Sequence, residues 1–146
     1  MPTPSRPAPR KLPVPWPILV LGVLAVLAVG YSLFAPRASA AEHPAPRAGI
    51  TAAHVQPAER YAEDPRVAQV YAEVAKMAET VDGLYCYCHC SRHAGHRSLL
   101  SCFEEDHGAQ CDVCLGEADL AYRMKQQGAS LEQIRREIDR QFGHRA

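Results

Sequence analysis

All six cysteines of the chain lie between positions 86 and 114, as Cys86-Tyr87-Cys88-His89-Cys90, Cys102 and Cys111-Asp112-Val113-Cys114. His89, His93, His96 and His107 share that stretch. Thiolate and imidazole are the donors that hold soft ions such as Zn or Cu, and thiols are the side chains that exchange disulfides. No Ser/His/Asp set, phosphate loop or paired catalytic carboxylates accompany them. The chemistry open to the chain is therefore metal binding, thiol–disulfide exchange or a structural disulfide framework, for which six cysteines allow 15 pairings.

The spacing narrows this. Closing a bond within Cys86-x-Cys88 or Cys88-x-Cys90 makes a small strained ring. Three cysteines at alternate positions, if extended, instead direct their thiolates to one side, with Tyr87 and His89 on the other. Cys111 and Cys114, one helical turn apart, complete a tetrahedral set. The expected ligands of Zn or Cu are Cys86, Cys88, Cys90, Cys111 and Cys114, with His89, Cys102 and His107 as additional candidates. If the protein is instead redox-active, Cys111 and Cys114 are the catalytic pair, because a helix N-terminus stabilises a thiolate. Cys102, beside Leu99 and Phe103, is expected to be a passive core residue or disulfide partner that matters less than Cys111 and Cys114. His93 and His96 read equally as exposed loop residues or ligands.

These residues must be positioned by helices. Asp64-Pro65 is an N-cap and first helical residue, and Val67, Val70, Tyr71, Val74, Met77, Ala78 and Val81 form one apolar stripe ended by Gly83. Leu84 to Cys90 has no helical period and reads as an extended segment or turn, followed by a loop from Arg92 to Arg97. Ser98 is placed to cap a short helix, Leu99 to Asp106, that His107-Gly108 closes. A helix over Cys111 to Gln127 stops at Gly128. Ser130-Leu131-Glu132-Gln133 is a capping box for a last helix with Leu131, Ile134, Ile138 and Phe142 on one face. The fold class is mainly α, a small helical bundle around a cysteine-rich loop, preceded by one transmembrane helix and a Pro/Ala-rich linker.

Lys plus Arg and Asp plus Glu are 16 each in 146 residues, which leaves no basic excess for nucleic acid. Residues 1–12 read as a disordered cytoplasmic tail, 13–35 as an uncharged transmembrane anchor or signal sequence, 36–60 as a proline-rich linker and 61–146 as the cysteine-rich domain. Arg6, Arg10 and Lys11 precede the apolar run, which keeps that side in the cytoplasm and places the domain on the periplasmic or extracellular side of a bacterial cytoplasmic membrane. Ala38-Ser39-Ala40 resembles a signal-peptidase site, but the apolar core is longer than that of a cleaved signal, and Trp16 and Tyr31 sit where interfacial aromatics belong. An uncleaved anchor is the favoured expectation. The expected partners are the inner membrane, through that helix, and a redox or metal-delivery protein.

Tyr85-Cys86-Tyr87-Cys88-His89-Cys90, then Gly95-His96-Arg97-Ser98-Leu99, Cys102-Phe103, His107 to Cys114 and Glu117-Ala118 resemble a bacterial family marked by a PCYCGC or CYCXC motif. The resemblance covers about residues 64 to 142. Some members are lipoproteins and some selenoproteins, which implies redox chemistry at a cysteine position for those members. Two departures stand out: Tyr85 replaces the motif's proline and His89 its glycine. A weaker resemblance, in the cysteine pair and in Gly128 to Arg135 ending in Phe142-Gly143, is to membrane-anchored thiol reductases of cytochrome c maturation, whose single Cys-x-x-Cys motif is not this cluster.

Overall fold

The computed structural model describes residues 16–34 and 42–143, which fall in two compact units, residues 1–37 and 38–146. The first unit contributes α1 (Trp16–Phe34), 19 residues without a charged side chain. Trp16, Ile18, Leu21, Val23, Leu24, Val26 and Leu27 on it are all exposed. At about 1.5 Å per residue such a helix reaches about 28 Å, just short of the roughly 30 Å of a hydrocarbon core. Among the described residues no helix is long and apolar enough to cross a membrane. The expected tail over 1–12, residues 13–15 and 35 of the expected span, and residues 36–41 of the linker lie outside the described residues.

The second unit is helix and turn, with no strand among the described residues. Asp64 caps α2 (Pro65–Ala75) as the sequence requires, accepting the N–H groups of Arg66 and Val67. The single helix expected up to Gly83 is two: Lys76 and Met77 bond to Glu73 and Val74, a tightened last turn, and Met77 then leaves helical geometry before α3 (Ala78–Asp82). The stripe survives the break, because Val67, Val70, Tyr71, Val74, Met77, Ala78 and Val81 are all buried. After α4 (Cys90–His93) comes the next departure, a 3-10 turn over Leu99–Cys102 where a longer helix was expected. Ser98 does not cap it, since its hydroxyl is drawn to the buried Asp82 carboxylate at 2.9 Å. α5 (Asp112–Gln126) and α6 (Leu131–Phe142) form the closing hairpin, and Ser130 and Gln133 make the expected capping box.

The linker expectation is corrected from residue 42 onward. His43 accepts the Tyr85 N–H at 2.9 Å and reaches Asp139 at 2.8 Å; Arg135 bonds the Pro44 carbonyl, and Gln56 bonds the backbone of Phe103 and Glu104. A proline-rich segment can be held in this way because side chains elsewhere in the fold satisfy carbonyls that its own backbone leaves free. Gly83 makes room for it: a Cβ there would stand 2.9 Å from Pro46.

Asp82 fastens the assembly. Fully buried, it accepts the Arg47 N–H at 2.6 Å, Arg97 at 2.9 Å and Ser98 at 2.9 Å, so one carboxylate ties the N-terminal segment, α3 and the loop between the cysteine clusters. Burial works against ionising Asp82, but its bonds from Arg47 and Ser98 prevail and hold its pKa below the ordinary value.

Candidate metal centre

Four elements set the six thiols. Cys86 and Cys88 stand on a turn closed by the His89 N–H to the Cys86 carbonyl at 3.2 Å, and Cys90 opens α4. The turn needs a left-handed residue, and His89 adopts φ +58° where the family pattern has glycine. The two departures from that pattern meet: the Tyr85 hydroxyl and His89 Nδ1 are 3.0 Å apart. Beneath the turn, Tyr87 donates its N–H to Glu117 on α5 at 2.8 Å and its hydroxyl to Asp139 on α6 at 2.6 Å. Cys102 ends the 3-10 turn, Cys111 is the N-cap of α5 and Cys114 lies in its first turn. The loop bearing His107 is pressed onto Cys102, since a Cβ on Gly108 would lie 2.9 Å from the Cys102 carbonyl.

All six cysteines are free thiols. Cys86 Sγ lies 3.3 Å from Cys88, 3.4 Å from Cys114 and 3.9 Å from Cys102, and Cys88 is 3.6 Å from Cys114. A tetrahedral ion with metal–sulfur bonds of about 2.3 Å has sulfur–sulfur edges of about 3.8 Å, whereas a disulfide is about 2.05 Å. The spacings are far beyond a disulfide and close to, for the most part slightly inside, the edges of a metal tetrahedron. Cys86, Cys88, Cys102 and Cys114 have all four donor atoms within 4.8 Å of one another, as do Cys88, Cys90, Cys102 and His107, and also Cys88, His107, Cys111 and Cys114. Cys90 lies 3.4 Å from Cys102, and His107 Nε2 is 3.7 Å from Cys88.

So close a set of sulfurs cannot all carry charge, and the structure sorts them. Bonds from Cys114 and Cys86, then from His96, draw the Cys102 thiol down; bonds from Cys86, then His107, draw Cys88 down. Cys86 and Cys114 are pushed up, first by their bonds with Cys102. Burial pushes up Cys111. His96 Nδ1 is 3.3 Å from Cys102 and its Nε2 is 2.7 Å from Glu105. Burial opposes charge on His96, but the bonds to Cys102 and Glu105 outweigh it and raise its pKa. Glu117, fully buried, is pushed up to about 8 by desolvation, and its carboxyl supports the cysteine turn by accepting the Tyr87 N–H.

Cys86, Cys88, Cys90, Cys111 and Cys114 thus all lie at one cluster, but three expectations change. Cys102 is a fully buried core residue as expected, but it is also central, because the 3-10 turn sets its sulfur 3.4 Å from Cys90 and 3.9 Å from Cys86. Cys111 and Cys114 do open a helix, yet the dipole's contribution of about 0.3–1 kcal/mol is outweighed by burial and by the thiols beside them. His107 joins the cluster, whereas His89 faces Tyr85 and enters none of the three donor sets. His96, which reads equally as an exposed loop residue or a ligand, is buried and meets Cys102 and Glu105, while Glu117, marked in the sequence only as part of the family resemblance, acts on Tyr87 from 30 residues away.

A family model described as a protein of unknown function with PCYCGC motif matches residues 40–145, a span that takes in the packed segment ahead of α2. No curated protein and no solved structure matches the chain.

Proposed function

We propose, for a chain that belongs to the family of proteins with the PCYCGC motif, that its function is to hold a soft metal ion, Zn or Cu, in a thiolate centre formed by Cys86, Cys88, Cys102 and Cys114. One observation carries this reading: four buried or half-buried sulfurs lie together, 3.3–3.9 Å apart in four of their pairs, near the edge of about 3.8 Å that a thiolate tetrahedron has and far from a disulfide bond. Soft sulfur donors select Zn or Cu(I) over harder ions, and binding displaces the thiol protons. With all four positions supplied by the protein, the centre is closed in the manner of a holding or transfer site. A metal-delivery protein is the fitting partner.

The exposed apolar side chains of α1 and the basic residues ahead of it support an anchor in the cytoplasmic membrane with the domain on the outer side. Protease added to spheroplasts is expected to digest the domain; full protection would overturn that topology.

Metal analysis of the full chain purified without oxygen, with an alkylation count before and after chelation, tests the function. The expected result is bound Zn or Cu, with Cys86, Cys88, Cys102 and Cys114 alkylated only after chelation. Metal-free protein with an easily reduced disulfide would establish the thiol–disulfide alternative, and a reduction-resistant pairing the structural one.

A further inference from the structure

The cluster holds more donors than one ion uses. Seven donor atoms fall in three overlapping sets of four, and Cys88 belongs to all three. An ion on Cys86, Cys88, Cys102 and Cys114 leaves Cys90, which is 1% exposed, with its sulfur 3.4 Å from Cys102. His107 Nε2 likewise remains 3.7 Å from Cys88. Both face sulfurs that are already ligands. We infer that the centre is binuclear: a second ion is held by Cys90 and His107 and shares the sulfurs of Cys88 and Cys102 with the first. The inference rests on the metal-binding reading above.

Charge and valence both favour it. One divalent ion on four thiolates has a net charge of −2 at a largely buried place; two divalent ions on five thiolates and a neutral imidazole have −1, which costs less to bury. A thiolate sulfur has lone pairs enough to bridge two ions. The imidazole nitrogen of His107 has one and serves a single ion, so the two donor sets that contain His107 exclude each other and the count stops at two. Of those sets, the one with Cys90 and Cys102 is the more buried, which leaves Cys111 as the spare, half-exposed thiol. The His96 ring, held by Glu105, orients the Cys102 sulfur it meets at 3.3 Å, the kind of outer contact that fixes a ligand. Loading two ions displaces a proton from each of five cysteines that still carries one, and no electron is transferred.

The test uses Cd(II) as the probe on the reduced full chain in detergent, without oxygen. Native mass spectrometry is expected to saturate at two ions per chain. Cadmium-113 NMR should give two resonances, one all-sulfur and one with a nitrogen ligand, split by each other through the shared sulfurs. Cys90→Ser combined with His107→Ala should bind one ion and keep the all-sulfur resonance, with circular dichroism to verify the fold. Saturation at one ion with a single all-sulfur resonance overturns the binuclear inference and leaves the single centre standing. No bound ion overturns both. Two resonances without mutual splitting, or two ions retained by the double variant, overturn the shared-sulfur arrangement, and the wild-type spectrum decides even if the variant does not fold.

Discussion

Replacing Cys102 by serine should damage metal binding far more than replacing Cys111. The Cys102 sulfur is fully buried, 3.4 Å from Cys90, 3.9 Å from Cys86 and 3.3 Å from His96 Nδ1, and it belongs to two of the three donor sets. Cys111 is half-buried and belongs to one. Structural Zn sites bind with about 10–16 kcal/mol over four ligands, so each thiolate contributes roughly 2.5–4 kcal/mol, or on the order of 100- to 1,000-fold in affinity. Serine keeps the volume of Cys102 and leaves an oxygen for His96, so the fold should survive. Competition against a coloured Zn chelator at pH 7, with circular dichroism on the metal-free proteins, is the assay. The expected outcome is a loss of about 100-fold or more for Cys102→Ser and less than about tenfold for Cys111→Ser. The reverse order, with Cys102→Ser near wild type and Cys111→Ser crippled, would restore the helix-terminus argument and refute the geometry.

Asp82→Asn should destabilise the metal-free protein by about 2–3 kcal/mol at pH 7, less than the 3–5 typical of a broken buried pair because Arg47 and Arg97 are more than a third exposed and can rehydrate. Since the folded pKa of Asp82 lies below its ordinary 3.8, its contribution is present above that pH and is lost as pH falls through the folded value; the gap between variant and wild type in thermal melts should therefore close below about pH 3.8. A constant gap down to pH 2 would contradict the assignment. His89→Gly should leave metal stoichiometry unchanged, because the left-handed turn suits glycine and His89 is in no donor set; metal analysis showing a lost ion would make His89 a ligand. Tyr71→Phe removes bonds to the Glu105 carbonyl and from the Ala109 N–H, and chemical denaturation should register about 1–2 kcal/mol.

Helices whose signals are local were legible in the sequence. Asp64-Pro65 and the Ser130 capping box depend on neighbours a few residues away and stand as read, and the stripe from Val67 to Val81 is buried as read although its helix breaks at Met77. What failed was decided at long range. Ser98 was read as a cap but answers to Asp82, 16 residues earlier, and Pro44 is held by Arg135, 91 residues later. The cysteine cluster itself was legible as a donor set, because thiols in such density have few other uses. Its centre was not: Cys102 shares an apolar pattern and the core with Leu99 and Phe103, and nothing local shows that its sulfur also meets Cys86 and Cys90 there. His89, an additional candidate that the alternation placed on the side away from the thiols, does turn its ring to Tyr85 and enters no donor set.

X-ray absorption at the metal edge of the chain purified without oxygen tests the central claim most directly, because it counts the atoms around the ion. A thiolate centre predicts sulfur as the dominant neighbour, at least three per ion at about 2.3 Å for Zn, with no more than a minor nitrogen contribution. A first shell made mainly of nitrogen and oxygen, or fewer than two sulfurs per ion, would contradict it.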